Sequence, residues 1–223
     1  FWAVLEEDGK HRGAGAYVLR VGPPAADSVE RILEAPHVFH DLRTDEIAVP
    51  LFFDPPRAKP RALFVNTIHR YQDSKDARDR TYANPADVCH NPDHVFTTAT
   101  LAAAEALGKV QVVELHGYSV DDPEARGSAL PKGTSMVVSG GVESGATPLS
   151  RAVAAALKKD FDAHVLLYPD DTKTLGATTN VQMLGLKRLS GAEFLHIEMA
   201  RTTRDDLATD AARRTAFGRI VLK

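Results

Sequence analysis

The sequence predicts an α/β fold of three layers, helices on both faces of a mixed, mostly parallel central sheet, formed as one domain over residues 1–223. Three observations predict it. Short apolar runs of strand character alternate with segments of helical period along most of the chain. Several helical segments open and close on recognisable capping residues. The 223 residues suffice for one sizeable α/β domain and are few for two. No internal repeat and no low-complexity tract interrupts the pattern.

Ala16 to Val21 and Val29 to Ala35 read as the first strands. A helix follows from Asp45 to Phe52, with Thr44 as its N-cap and two acids in the first turn, where the helix dipole favours them. Ala62 to Asn66 (ALFVN) is a buried central strand that ends in polar residues. Tyr71 to Pro92 has no period and many charges, and a connection of that length is expected to be functional. Asp93 to Leu107 is a helix closed by Gly108. Val110 to Leu115 and Ser135 to Ser139 are further strands. Thr147 and Pro148 stand as N-cap and N1 of a helix running to Lys159. His164 to Tyr168 and Glu193 to Met199 (EFLHIEM) complete the sheet, and Asp205 to Phe217 is a late amphipathic helix.

Composition narrows the classes of function. Apolar residues make up 43% and charged residues 26% of the chain, as in globular proteins generally. The formal net charge is -3 and there is no long basic run, which argues against a nucleic-acid partner. Apolar stretches such as Leu101 to Leu107 are too short to span a bilayer. Cys89 is the single cysteine, so neither an internal disulfide framework nor a thiolate-rich metal cage is available. A cleaved signal peptide and a trimmed leader would each account for a chain opening at Phe1. A periplasmic or extracellular location is expected ahead of a cytoplasmic one.

Catalytic groups on an open α/β sheet gather where strands end. The second strand runs into Pro36-His37-Val38-Phe39-His40-Asp41, VQVVEL runs into His116-Gly117-Tyr118-Ser119, and EFLHIEM carries Glu198. Two imidazoles and a carboxylate are a common ligand set for catalytic zinc. His37, Asp41 and His116 supply that set, and Glu198 supplies an unligated carboxylate to take a proton from water. Plainer readings stand beside these. The histidines are ordinary hydrogen-bonding residues, Glu198 pairs with Arg201, and Asp41 caps the following helix.

The order and wording of these segments resemble the zinc carboxypeptidase superfamily, nearest to its poly-γ-glutamate hydrolase and N-formylglutamate amidohydrolase-like relatives. Leu115-His116-Gly117-Tyr118-Ser119 is similar to the family's "His-Ser-Tyr-Ser", and Ile197-Glu198-Met199-Ala200-Arg201 to its "Glu-Leu-Arg". Pro36 to Ala48 resembles the poly-γ-glutamate hydrolase turn, where a histidine, an acid and Thr-x-Glu follow one another. Matching Thr44 and Glu46 to that pattern places Asp41 at the metal acid. The resemblance covers about residues 30–205 and implies a zinc-exopeptidase-like fold, a zinc cofactor and hydrolysis of an amide beside a carboxylate. It departs in having aspartate for the usual glutamate and in lacking the compact His-x-x-Glu spacing. His40 stands at that spacing and is the alternative ligand, with Glu46 a third choice. The family's Asn-Arg pair for the substrate carboxylate corresponds here to His69-Arg70. An arginine fork matches a carboxylate in two-point contact. The plainer reading of Arg70 is an ion pair with Asp73; Arg43, Arg78, Arg80 and Arg201 are further candidates for substrate or oxyanion. Asn180 either touches substrate or serves as a turn residue.

Other chemistries fit less well. Gly141-Val142-Glu143-Ser144-Gly145 has the wrong spacing for a serine-hydrolase elbow. Cys89 and His90 are chain neighbours and rarely face each other, and Gly13-Ala14-Gly15 lacks the rest of a phosphate loop. The expected function is therefore a zinc-dependent amide hydrolase acting on a peptide, peptidoglycan-derived or small-molecule substrate that carries a carboxylate. The alternative is a non-catalytic peptidoglycan- or carbohydrate-binding module with structural histidines.

Overall fold

A computed structural model describes residues 1–10, 12–23, 29–72, 84–119 and 129–223. Its strands are β1 (Trp2–Val4), β2 (Ala16–Leu19), β3 (Glu30–Ala35), β4 (Ala62–Val65), β5 (Val110–Tyr118), β6 (Met136–Ser139), β7 (Val165–Leu167) and β8 (Ala192–Ala200). They form one 8-stranded sheet in the order β1-β2-β4-β3-β5-β8-β6-β7. The centre, β4-β3-β5-β8, is parallel, while β2 and β6 run against it on either side. Parallel neighbours need crossover connections. Helices α1 (Thr44–Phe53) and α2 (Val95–Leu107) make the crossovers β3 to β4 and β4 to β5. Helices α3 (Pro148–Asp160), α4 (Val181–Leu186), α5 (Arg201–Thr209) and α6 (Ala211–Val221) complete the layers. The structure is α/β with a mixed sheet flanked by helices, as the alternation predicts.

Alternation along the strands assigns side chains to the two faces. Val113 and Leu115 of β5 and Leu195, Ile197 and Met199 of β8 join the apolar residues of α1, α3, α5 and α6. Val110, Val112 and Phe194 join those of α2 and α4 on the other face. That second face also carries Glu34, Glu114, His116, His196 and Glu198, at the same parity. Glu34 lies opposite Glu114 and Glu114 opposite His196, while His116 lies opposite Glu198. Ionisable residues thus replace aliphatic ones as these strands approach their C-terminal ends.

Local sequence accounts for the helix ends, with corrections. The cap of α1 is Arg43, in left-handed conformation (φ 76°), without a side-chain cap bond. Thr44, the expected cap, is the first helical residue. Its hydroxyl is buried without a partner. The preceding turn brings the chain into α1 from the sheet end, and the backbone reverses at residue 43. Arg43 is held there by ion pairs to Glu46 and Asp205 at 3.0 and 2.8 Å. The expected single helix from Asp205 to Phe217 is two helices. Asp210 breaks it by accepting from the amides of Ala212 and Arg213 at 2.8 and 3.0 Å. Aspartate favours such a cap over a helix interior. Two elements lie outside the sequence expectation: edge strand β1, exposed throughout, and the short helix α4, which Asn180 caps by accepting from the Met183 amide at 2.9 Å.

Replacing Asp210 by alanine removes both α6 cap bonds. Urea unfolding is expected to show about 1 kcal/mol of lost stability.

Candidate metal centre

Immediately after β3 the chain makes one helical turn. The amides of His40 and Asp41 donate to the His37 carbonyl at 2.8 and 2.7 Å. Side chains four apart on such a turn share a face, and His37 and Asp41 are both buried there. His116 enters from the end of β5, its ring centroid 4.9 Å from that of His37 at an interplanar angle of 73°. Oδ2 of Asp41 lies 3.1 Å from Nδ1 of His116 and 3.6 Å from Nδ1 of His37. Two imidazoles therefore turn the same nitrogen toward one carboxylate oxygen.

The remote nitrogens meet two further carboxylates. Nε2 of His37 is 3.0 Å from Oδ1 of Asp87. Asp87 also accepts from Nε of Arg70 at 3.1 Å and pairs with the Arg70 Nη2 and with Nδ1 of His90. Nε2 of His116 is 3.1 Å from Oε2 of Glu114 and 3.8 Å from the Cys89 thiol. Among the described residues two buried triplets present donor atoms within 4.8 Å of one another: His37, Cys89 and His116, and Glu114, His116 and His196. These clusters could hold a metal ion, and His116 belongs to both.

Charge in this dry pocket is unevenly distributed. Burial, joined at His37 by Arg70, opposes a charged imidazole. Cys89 and Asp87 at His37, and Cys89, Asp41 and Glu114 at His116, outweigh it and hold both pKa values well above the ordinary range. Burial raises the Asp41 carboxyl, but hydrogen bonds from His116 and His37 prevail and keep it well below its usual range. Burial pushes Glu198 up to about 7. Its Oε2 has no partner, and its Oε1 lies 3.7 Å from Nε2 of His196. Burial, reinforced by His116, holds His196 far below the ordinary range, so that ring is neutral.

The structure thus brings His37, Asp41 and His116 together and sets Glu198 in register with His116. Of the remaining candidates, Arg70 borders the site, its Nη1 3.2 Å from Nδ1 of His37, and the other described ones have partners of their own. His40 stacks edge-on with His69 and Tyr71, at 5.6 and 5.2 Å between centroids, and burial lowers its pKa to about 4. Glu46 pairs with Arg43. His69 accepts from the Tyr71 amide through Nδ1 at 3.2 Å. The Arg70 fork is engaged by Asp87. Arg201 pairs with Asp205 at 3.1 Å rather than with Glu198, and α1 is not capped by Asp41. Asp73, Arg78 and Arg80 lie outside the described residues.

Several residues of the site escape the sequence reading. Asp87, Glu114 and His196 are buried and polar, and Glu114 and His196 each sit two residues before a singled-out residue on the same strand face. A carboxylate inside VQVVEL is costly unless paired, which is the signal that finds Glu114. Arg204 is another. It is buried in α5, its Nη1 donates to the Met199 carbonyl at 3.2 Å, and its Nε has no partner. A Cβ at Gly117 would fall 1.2 Å from that guanidinium. Glycine beside His116 makes room for it.

No family model matches the chain, and no curated protein matches it in sequence. Solved structures share its fold. One is YndL in a zinc-free apo form, with a TM-score of 0.55 and 16% identity, covering 96% of this chain and 91% of that one. Another is a bacteriophage poly-γ-glutamate hydrolase, with a TM-score of 0.54 and 12% identity, covering 97% and 88%. A gene product of Agrobacterium tumefaciens matches at a TM-score of 0.50 and 14% identity over 87% and 86%. At these identities the likeness is one of fold. The chain has an α/β fold shared with these structures, and buried histidine, cysteine and glutamate clusters that could hold a metal.

A carboxyl raised from 4.5 to about 7 keeps its proton in the fold where the unfolded chain has released it. Metal-free protein therefore loses stability through Glu198 as pH rises across that window. Glu198→Gln, which cannot ionise, is expected to be more stable than the wild type at pH 8 by on the order of 1–3 kcal/mol. The advantage should fade toward pH 5, as read by urea unfolding of chelator-treated protein.

Proposed function

We propose that this protein is a zinc-dependent amidohydrolase that cleaves an amide bond beside a substrate carboxylate. The observation that carries this reading is the shared Asp41 oxygen, approached by Nδ1 of both His37 and His116 while each remote nitrogen rests on a second carboxylate. The donor chemistry fits zinc. Two imidazoles and one carboxylate match catalytic sites of that metal, and outer carboxylates orient ligating histidines in such sites. The raised imidazole pKa values point the same way, because a pocket that draws protons onto both rings favours positive charge at that place. His37, Asp41 and His116 would hold the ion through Nδ1, the carboxylate and Nδ1, with Cys89 and Glu114 on the far side of His116.

A zinc ion held by these residues would supply Lewis acidity toward a carbonyl and toward water. Glu198 acts as the general base. Its carboxyl is buried, its Oε2 has no partner, and its pKa near 7 suits proton transfer at neutral pH. It takes the proton from attacking water and passes it to the leaving nitrogen. Asp87 and Glu114 keep the two imidazoles in place. Arg70, partly accessible at the rim, and Arg204, buried against Gly117, give the site a positive potential that attracts a substrate carboxylate. The poly-γ-glutamate hydrolase neighbour makes γ-linked glutamate the first substrate to try, followed by N-acyl amino acids and muropeptides.

The purified protein is expected to hold about one zinc ion per chain, measured by elemental analysis, and His116→Ala to hold none. On whichever of those substrates is cleaved, Glu198→Gln should retain zinc while kcat/KM falls by roughly 100-fold or more. Protein that takes up no transition metal, or a Glu198→Gln variant with undiminished turnover, would reject this function.

A further inference from the structure

We propose that Asn180, the N-cap of α4, positions the zinc-binding His116 through Glu114, so that this short helix helps set the metal affinity of the site. The inference rests on the zinc-hydrolase reading above. Its residues lie outside the proposed ligand set, and Asn180 does not touch His116.

The chain of contacts is direct. Glu114 precedes His116 by two residues on β5, so both project from the same sheet face. Its Oε2 lies 3.1 Å from Nε2 of His116 and accepts from Nδ2 of Asn180 at 2.8 Å. The other end of that amide is also fixed, since Oδ1 of Asn180 accepts from the Met183 amide at 2.9 Å. A flipped amide would set oxygen against the Glu114 carboxylate and leave the Met183 N–H facing a donor, so the network permits one orientation. Asn180 and Glu114 are both buried, where an unmet carboxylate is expensive. The helix is anchored in turn. The Val181 amide donates to the Cys89 carbonyl at 2.9 Å, and Nε2 of Gln182 to the Val88 carbonyl at 2.8 Å. Those carbonyls belong to the segment that carries Asp87, which holds His37. The carboxylate braces of both imidazoles are thereby tied to one anchored unit.

With a metal bound, a carboxylate accepting from Nε2–H would hold the imidazole in the tautomer whose Nδ1 lone pair meets the ion, and Nδ1 is the atom on the Asp41 side. Loosening Glu114 frees the ring to change tautomer or tilt, and zinc affinity falls while the three ligands remain.

The test measures zinc affinity of the full chain by competition with a chromophoric chelator. Glu114→Gln is expected to raise the zinc Kd by roughly 10- to 100-fold. Asn180→Ser retains a side-chain cap for α4 but cannot reach Glu114 with a donor, and should raise Kd about 10-fold with the fold intact by circular dichroism. The double variant should bind zinc no more weakly than Glu114→Gln alone, because both changes cut one path. A purely structural role for Asn180 would lower thermal stability and leave zinc affinity of the folded protein unchanged, which would overturn the proposal. Additive effects in the double variant would overturn it too. So would complete loss of zinc in Glu114→Gln with retention in Asp41→Ala, since Glu114 would then be a ligand. Wild-type protein that binds no zinc would sink the hydrolase reading itself, an outcome distinct from the others. Asn180→Ser carries the test alone if Glu114→Gln does not fold.

Discussion

Oδ2 of Asp41 sits between two buried imidazoles, and the organisation of the site follows from keeping that arrangement away from water. A bare carboxylate in a dry interior is costly, and so is a charged imidazole. Here each lowers the cost of the other, which is why Asp41 stays ionised while His37 and His116 gain protons more readily than free histidine. The arrangement holds only if each ring is fixed from behind. Asp87 does this for His37 and Glu114 for His116, and each of those carboxylates needs a partner of its own, Arg70 and Asn180 respectively. The polar groups thus extend outward in pairs until they reach the backbone of α4 and of the segment before α2.

The fold supplies this geometry through parallel pairing. Because β3, β5 and β8 run in the same direction, their C-terminal ends open along one edge of the sheet. Register then sets Glu34, Glu114 and His196 in one row, and His116 and Glu198 in the next. Burial chiefly, and Glu114 beside it, push the Glu34 carboxyl well above its usual range, and the Thr100 hydroxyl donates to its Oε1 at 2.5 Å. The opposite face of the same strands is aliphatic, packed by four helices. One face therefore gives the sheet its stability while the other, at its C-terminal end, is free to carry chemistry.

The sheet was legible in the sequence because buried parallel strands read as short apolar runs, and each such run marks a strand of the structure. Thr147-Pro148 and Gly108 marked helix ends because capping is local chemistry. What escaped depends on contacts distant in the chain. The cap at Arg43 depends on a backbone reversal that no residue type announces, and the break at Asp210 lay inside a pattern with helical period. His37, Asp41, His116 and Glu198 stood out because they sit at strand ends. Asp87 did not, and Asn180 stood out only as a substrate contact or turn residue, because each faces its partner across 50 or 66 positions. Glu114 could have been found. The cost of a carboxylate in an apolar strand, applied to Glu198, applies with equal force three strands earlier in VQVVEL.

The two arginines near the site show why residue type alone ranks poorly. Arg70 follows a central strand and matches the position of a substrate anchor, yet its fork is committed to Asp87, and Arg70 Nη1 lies 3.2 Å from Nδ1 of His37. Arg204 lies in a late helix with no motif around it. It is buried, its Nε is unsatisfied, and among the described residues it donates to a backbone carbonyl, that of Met199. Asp41 and Glu198 are the acids that most favour its charge, and burial alone would suppress it.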